Sequence, residues 1–222
     1  MFGNQVNALE IFVDIGAWEP VSDSVSHLFI EMGWKTILIE PQVYYYQKSA
    51  YHYKKDLGVK VIHAAVSCQP GLLSLFVPEV TTGWASISEK HAMKMQESMA
   101  TQLVNAITLD QIHLNIGLNY FILKIDAEES EKDILEGWQS GEIGPIIICI
   151  KGDKEVIKLI LESRSFKLFF FDGINQYFIK ASFYKAVNSF NPVNLFEDSV
   201  FTISDSAWLV NTSYGLKNFE II

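Results

Sequence analysis

The sequence predicts an α/β fold with a mostly parallel sheet that closes in an antiparallel hairpin. Apolar runs of strand length alternate with stretches of helical apolar spacing along most of the chain, the pattern of successive β-α-β units. Strand-like runs end in an acid followed by a turn, as at Asp14, Glu40 and Asp126. Near the end, Phe166–Phe171 and Gln176–Ile179 flank Asp172-Gly173-Ile174-Asn175, an Asp-Gly turn between two apolar runs and therefore a hairpin signal.

Leu9–Asp14 reads as the first strand, and Val25–Met32 as the first helix, its apolar positions being Val25, Leu28, Phe29 and Met32. Gly33 suits the C-cap of that helix. Thr36–Glu40 is a second strand, stopped by Pro41, and Tyr44–Lys55 a second helix. Val59–Val66 is a third strand. Pro70-Gly71 turns the chain into Leu72–Val77, a strand expected to hairpin onto its neighbours. Residues 81–86 are a polar loop containing Gly83 and Trp84. Lys90–Leu103 reads as helical, Val104–Leu109 as a short strand, and Gln111-Ile112 as the start of a helical turn. Tyr120–Ile125 is a buried strand ending at Asp126. A helix over Ser130–Trp138, a strand over Pro145–Ile150 and a helix over Lys154–Glu162 follow. The tail from Ala181 is expected to carry a helix near Phe183–Val187, then Pro192 and an irregular acidic stretch. Residues 1–222 are expected to form a single domain, with 181–222 an extension packed on it.

The composition excludes several function classes. With 222 residues, 49% hydrophobic and 13% aromatic, the chain can build a sizeable core. A net charge of −9, with Arg164 the single arginine, argues against a nucleic-acid partner. No apolar run reaches membrane-span length, and no signal-peptide pattern is seen. Cys68 and Cys149 are too few for a disulfide framework, so a reducing cytoplasm is the expected location.

The first strand–turn–helix is where an α/β fold holds a nucleotide-like cofactor. A dinucleotide would need G-x-G-x-x-G, but Gly16 is followed by Trp18 and no third glycine, and no Gly-Lys-Ser/Thr phosphate loop occurs. A pyrophosphate, and with it a nicotinamide oxidoreductase, is disfavoured. Glu40 ends the second strand, where an acid can accept hydrogen bonds from ribose hydroxyls. Asp14 ends the first, where an acid suits a cationic or amino-bearing group. S-adenosylmethionine (SAM) offers a ribose diol, an ammonium and a sulfonium without phosphate. The plainer alternative is that Asp14 and Glu40 only solvate strand ends. In the run Leu123-Lys124-Ile125-Asp126-Ala127-Glu128, Lys124 and Asp126 share one face of an apolar strand. A buried charge needs a partner, so a Lys124–Asp126 or a Lys124–Asp14 contact is expected.

These residues carry a family resemblance. Phe12-Val13-Asp14-Ile15-Gly16-Ala17-Trp18-Glu19-Pro20, followed by Asp23-Ser24-Val25, resembles the first motif of the FkbM family of SAM-dependent methyltransferases, in particular the branch acting on sugars of glycans. Gly33-Trp34, Ile39-Glu40-Pro41, Ala65-Val66-Ser67 with Pro70-Gly71, and Leu123–Glu128 followed by Glu131 are similar to its later motifs. Phe171-Asp172-Gly173-Ile174-Asn175-Gln176-Tyr177 and Asn194–Asp198 resemble its hairpin and tail.

The resemblance implies a Rossmann-like class I methyltransferase fold with SAM as cofactor and a sugar hydroxyl of a glycan as acceptor. By position, Asp14, Gly16, Ala17, Glu40, Pro41 and Ser67 would bind the cofactor. Asp126 and Glu128 would line the catalytic site. No His/Cys/Asp cluster has metal spacing, and Asp126 with Glu128 could bind a divalent cation only with help from elsewhere. His63 and His91 are lesser candidates for a base, and Trp18 and Trp84 for stacking on adenine or a sugar ring. In two places the chain departs from the family pattern. Glu129 replaces the signature glycine, and Lys151 stands where the family usually carries an acid, before a loop shortened to Gly152-Asp153. These departures motivate the rival expectation of a degenerate, non-catalytic SAM-binding or glycan-assembly protein.

Overall fold

The computed structural model describes residues 9–80, 82–139 and 143–184, and strands at 200–204, 207–212 and 215–218. Its centre is β1 (Leu9–Ile15), whose Ile11, Phe12, Val13 and Ile15 are buried on both faces of the sheet, as a parallel strand covered by helices requires. Beside it lie β2 (Lys35–Glu40) on one side and β7 (Tyr120–Ile125) on the other. Beyond them lie β3 (Val59–His63) and β8 (Pro145–Ile150). The sheet closes with β9 (Phe166–Phe171) and β10 (Gln176–Lys180), giving the order β3-β2-β1-β7-β8-β10-β9. All neighbouring pairs are parallel except those of β10, which runs antiparallel to both β8 and β9. The predicted α/β fold, mostly parallel with a C-terminal antiparallel hairpin, is therefore observed. Strand order reverses between β1 and β7, so the crevice at their carboxyl ends is the position where an open α/β sheet binds ligands.

Helices cover the sheet where the sequence caps them. Ser24 caps α1 (Val25–Glu31) by accepting from the His27 N–H at 3.3 Å. Thr108 and Gln111 form a reciprocal capping box at α4 (Leu109–Ile116), and Gly117 ends that helix in a left-handed conformation. Asp153 caps α6 (Lys154–Ser163). The remaining helices are α2 (Val43–His52), α3 (Glu89–Lys94) and α5 (Glu131–Glu136).

The structure corrects four sequence expectations. The face of α1 that meets the sheet is Ser26, Phe29 and Ile30, with Phe29 stacked on Phe12 at 4.4 Å, while Val25, Leu28 and Met32 are exposed. The apolar spacing misled because a small serine sits at the close approach. The run Val59–Val66 is split. His63 ends β3, and Ala65–Val66 form β4 in a second, three-stranded sheet. In that sheet β5 (Gly71–Pro78) pairs antiparallel with β6 (Met99–Ile107). Most of the helix expected over Lys90–Leu103 is therefore α3 followed by the first half of β6. Val104 and Ala106 are buried and Leu103 and Asn105 exposed, in the half of β6 that the sequence marks as a strand, whereas 99–103 carry no clean alternation. Finally, the tail expected to be irregular contains an antiparallel meander, β11 (Val200–Ser204), β12 (Ala207–Thr212) and β13 (Gly215–Asn218). The helix expected near Phe183–Val187 is represented by a 3₁₀ turn at Ala181–Phe183. Positions 185–187 and the Asn194–Asp198 motif lie outside the described residues.

Under the sheet, His113 of α4 is fully buried. Its Nε2 and the Tyr120 hydroxyl are 3.1 Å apart, and its ring meets Trp138 edge-on at 4.9 Å. Burial pushes this imidazole down from 6.5 to about 4. The unfolded chain therefore takes up the proton first as pH falls. The neutral histidine's contribution is complete above pH 6.5 and is lost progressively towards pH 4, by up to about 3 kcal/mol. Chemical denaturation of wild type and His113→Gln, compared between pH 7 and 4, is expected to show wild type losing stability relative to the variant across that window.

Candidate active site

The site begins at the turn after β1. Gly16 has φ of +78°, and a Cβ built there would stand 2.0 Å from the Asp126 carbonyl oxygen. The glycine is required by the neighbouring backbone at the end of β7, with the Asp126 N–H donating to the Ile15 carbonyl at 3.0 Å. The Gly16 and Ala17 N–H groups both turn to the Ile39 carbonyl, at 3.0 and 3.3 Å, so the first turn is also tied to the end of β2. These bonds bring Asp14, Glu40 and Asp126 to one edge of the sheet.

Glu40 is 2% exposed. Its Oε2 accepts the Trp18 N–H and its Oε1 the Gln42 N–H, both at 2.8 Å. Each oxygen keeps a lone pair for a further donor. Burial pushes the carboxyl up to about 7, against the pull of those two backbone N–H groups. Glu40 and Pro41 line a small cavity of about 50 Å³ together with Ile39, Ala64, Leu75 and Ile87. Its roof comes from the second sheet. The Ser86 hydroxyl donates to the Glu128 carbonyl at 2.5 Å, while the Ser86 backbone pairs with Phe76 of β5.

Asp14 is equally buried, and its partner is Lys124, with Nζ 2.9 Å from Oδ1. The alternative contact of Lys124 with Asp126 is not the one made. Burial would depress the Lys124 ammonium, but the charges of Asp14 and then Asp126 outweigh it and hold the amine above its ordinary value. This pair floors a larger cavity of about 770 Å³, walled by Phe12, Phe29, Phe169 and Tyr177, with half-exposed Trp84 beside them. Gly16, Trp18, Gly83, Asp126 and Glu128 line both cavities, so the two meet at the carboxylates after β7.

Lys151, just past β8, reaches these carboxylates. Its Nζ is 2.7 Å from Glu128 Oε1 and 3.3 Å from Asp126 Oδ1, the latter an ion pair without hydrogen-bond alignment. Glu128 and Glu129 are both left-handed, at φ +46° and +67°. The glycine-like backbone of the turn is thus kept with glutamate in it, and Glu129 pairs with Lys94 of α3 at 2.7 Å.

The other expected site residues are placed elsewhere. Ser67 donates to Asp133 at 2.8 Å and is not among the residues lining either cavity. His63 is exposed, 2.9 Å from the Pro41 carbonyl and stacked on Tyr46. His91 lies 3.6 Å from Glu129, away from both linings. Sequence reasoning missed Lys151 as a site group, along with Asn175 and Tyr177. The Asp172–Tyr177 hairpin motif was the available signal, because Asp172 accepts from the Asn175 N–H at 2.6 Å and from the Tyr177 hydroxyl at 2.8 Å, which turns those residues inward.

A family model described as the methyltransferase FkbM domain matches residues 14–190, from the end of β1 past the closing hairpin. The chain belongs to the FkbM methyltransferase domain family. Members of this FkbM family generally use SAM. Among solved structures, the chain resembles a methyltransferase FkbM from Methylobacillus flagellatus KT at 15% identity and TM-score 0.46, covering 77% of this chain and 43% of that one. A putative RNA methyltransferase from Pyrococcus horikoshii (10%, TM-score 0.40) covers 78% of this chain and 76% of its own. A precorrin-6y C5,15-methyltransferase from Geobacter metallireducens GS-15 (12%, TM-score 0.36) covers 78% and 80%. No curated protein matches by sequence. Among the described residues, no helix is long and apolar enough to cross a membrane.

The FkbM chain's residues fit SAM. A slot lined by Ile39, Ala64 and Leu75 ends at the buried Glu40 carboxylate, which keeps acceptor capacity for further donors. The turn that aligns them depends on Gly16. Gly16→Ala is expected to destabilise the FkbM domain by about 3 kcal/mol or more, because it combines a left-handed backbone with a clash against main chain. Urea unfolding checks this, and a change under about 1 kcal/mol would show that the β1–β7 contact yields easily.

Proposed function

We propose that the chain is a SAM-dependent O-methyltransferase acting on a sugar hydroxyl of a glycan. The observation that carries this reading is the junction of the two cavities at Asp126 and Glu128. One cavity ends at a buried carboxylate suited to a ribose, and the other is broad, aromatic-walled and open to an acceptor. In this reading Glu40 receives the ribose hydroxyls, Ile39, Ala64 and Leu75 face the adenine, and the turn Gly16-Ala17 passes beside the amino-acid end. When bound, SAM supplies an electrophilic methyl group on a sulfonium leaving group. Asp126 orients the acceptor hydroxyl and takes its proton, with Glu128 as its neighbour. Phe169, Tyr177 and Trp84 offer faces on which a sugar ring can stack and exclude water around the reacting oxygen. The sugar acceptor rests on the family resemblance and on these aromatic walls. A cytoplasmic location is part of the same proposal.

A second reading is favoured by one observation. Lys151 already engages Glu128 and Asp126, as a non-catalytic SAM-binding or glycan-assembly protein would tolerate. Transfer of labelled methyl from SAM to a panel of glycan acceptors decides between the two. Turnover supports the enzyme, and SAM binding with no transfer to any acceptor supports the second reading.

Glu40→Ala is expected to weaken SAM binding at least about tenfold, since each charge-assisted hydrogen bond contributes about 1.5–3 kcal/mol. Because burial raises Glu40 to about 7 and donors favour its ionised form, binding should expel protons below that pH. Calorimetry in buffers of different ionisation heat measures both effects. Unchanged affinity and no proton release would remove Glu40 from the cofactor site.

Asp126→Asn is nearly isosteric, and the Asp126 side chain is one-third exposed, so the fold should hold. SAM affinity is expected to fall only a few-fold while turnover falls on the order of 10²–10⁴-fold, the range for loss of a general base. Single-turnover assays beside thermal melts check this. Normal turnover per folded molecule would show Asp126 to be no more than the ion partner of Lys151.

A further inference from the structure

Acids crowd the turn after β7. Asp126, Glu128 and Glu129 stand within it and Glu131 opens α5 just after it, 3% exposed with its carboxyl raised by burial. Glu131 Oε1 is taken by the Ala127 N–H at 2.9 Å, which leaves Asp126 and Glu128 to face the larger cavity. Two carboxylates in so confined a space repel each other and splay apart unless a cation stands between them.

The groups facing this pair come from every neighbouring element. Asp14 and Lys124 stand on β1 and β7, Cys149 on β8, and Tyr177 on β10 with its hydroxyl on Asp172. Glu131 lies behind on α5, and Glu129 turns away to Lys94 and His91 on α3. Lys124 and Lys151 are the cationic side chains among the described residues that line the cavity, and Lys124 is committed to Asp14 at 2.9 Å.

Lys151 is anchored for the task. Its N–H donates to the Ile125 carbonyl at 3.2 Å, which fixes the residue to the end of β7 beside the acids it serves. Burial would depress its ammonium, but the Glu128 hydrogen bond and then the Asp126 and Glu128 charges more than offset this, so the amine stays a cation.

We propose that Lys151 is a positioning residue of the larger cavity: its ammonium bridges Asp126 and Glu128 and holds the two carboxylates side by side, aimed at an acceptor hydroxyl. The role rests on the methyl-transfer reading above, in which those carboxylates meet the acceptor. The lysine acts as a built-in cation between the two acids, offsetting their mutual repulsion.

The test compares full-length wild type, Lys151→Met and Lys151→Arg. The first arm needs no activity. Mn²⁺ alone is titrated into each protein and followed by electron paramagnetic resonance. Lys151→Met leaves the carboxylates without their cation and is expected to bind Mn²⁺ at least about tenfold more tightly than wild type, while Lys151→Arg behaves like wild type. The second arm is methyl transfer. Lys151→Met should lose about 10²-fold in kcat, the low end of what a misplaced base costs, with KM for SAM unchanged within about twofold. Lys151→Arg, which keeps the charge, should recover most of that loss. A merely structural lysine would lower activity only in step with the folded fraction seen in melts, and that result overturns the proposal. Equal Mn²⁺ affinity in wild type and Lys151→Met overturns the bridging role whether or not the chain transfers methyl groups. A gain in Mn²⁺ binding together with a wild type that methylates nothing upholds the bridge and overturns the methyl-transfer reading instead.

Discussion

The close approach of the chain to itself at the carboxyl end of β1 sets the geometry of everything above it. At Gly16 the backbone runs so near the Asp126 carbonyl that a side-chain carbon would stand 2.0 Å from it. The same turn gives its N–H groups to Ile39 on β2, and Ile15 takes the N–H of Asp126 on β7. Three strand ends are thereby sewn together by main chain. A parallel sheet splays its carboxyl ends at a switch point, and here the splay is limited on both sides of β1. Asp14, Glu40 and Asp126 meet because their strands cannot separate, and a larger residue at position 16 would push those strands apart.

Charge balance across the site follows from that convergence. Each buried acid has its own compensation: Asp14 has the Lys124 ammonium at 2.9 Å, Glu40 two backbone N–H groups, and Glu131 the Ala127 N–H. The quality of compensation differs. A full ammonium secures Asp14, whereas dipoles alone leave Glu40 with its carboxyl raised to about 7. Glu40 is therefore a charge the free chain holds at a cost that additional donors would relieve. A buried carboxylate compensated only by dipoles is costly to a fold, where a neutral side chain would serve packing better.

How much of this was legible in the sequence depended on the kind of signal. The strand ends at Asp14, Glu40 and Asp126 were readable because each is an acid closing a mostly apolar run of strand length before a turn. The Asp172-Gly173 hairpin was readable from turn chemistry. The α1 face was misread because periodicity records which residues are apolar, and here the close contact uses Ser26 while Val25, Leu28 and Met32 face out. The first half of β6 was misread because Ala100 and Gln102 suit a helix as well as a strand, and its pairing with β5 is set by tertiary contact. Spacing along one strand could not choose between Asp14 and Asp126 as the partner of Lys124, because the register of β1 on β7 places Asp14 directly opposite. Lys151 was visible as a departure from the family pattern. Its target was not, because the contact spans 23 residues and depends on two left-handed glutamates.

Those two residues show how a costly turn can persist. Glutamate at φ of +46° and +67° is strained, and the strain is held by contacts on every side. Glu128 gives its side chain to Lys151 and its carbonyl to Ser86, and Glu129 gives its side chain to Lys94. Ser86 belongs to the roof of the smaller cavity, Lys94 to α3, and Lys151 to the wall of the larger cavity. One strained turn is thus the joint between the cover of one cavity and the charged wall of the other. Relaxing it at Glu129, by restoring glycine, would remove the Lys94 anchor while easing the backbone. The net effect on stability is then the small difference between left-handed strain of order 1–3 kcal/mol and an exposed ion pair of at most about 1 kcal/mol. The balance favours glycine for stability. The glutamate is accordingly better explained by the tie it makes to α3 than by any gain to the fold.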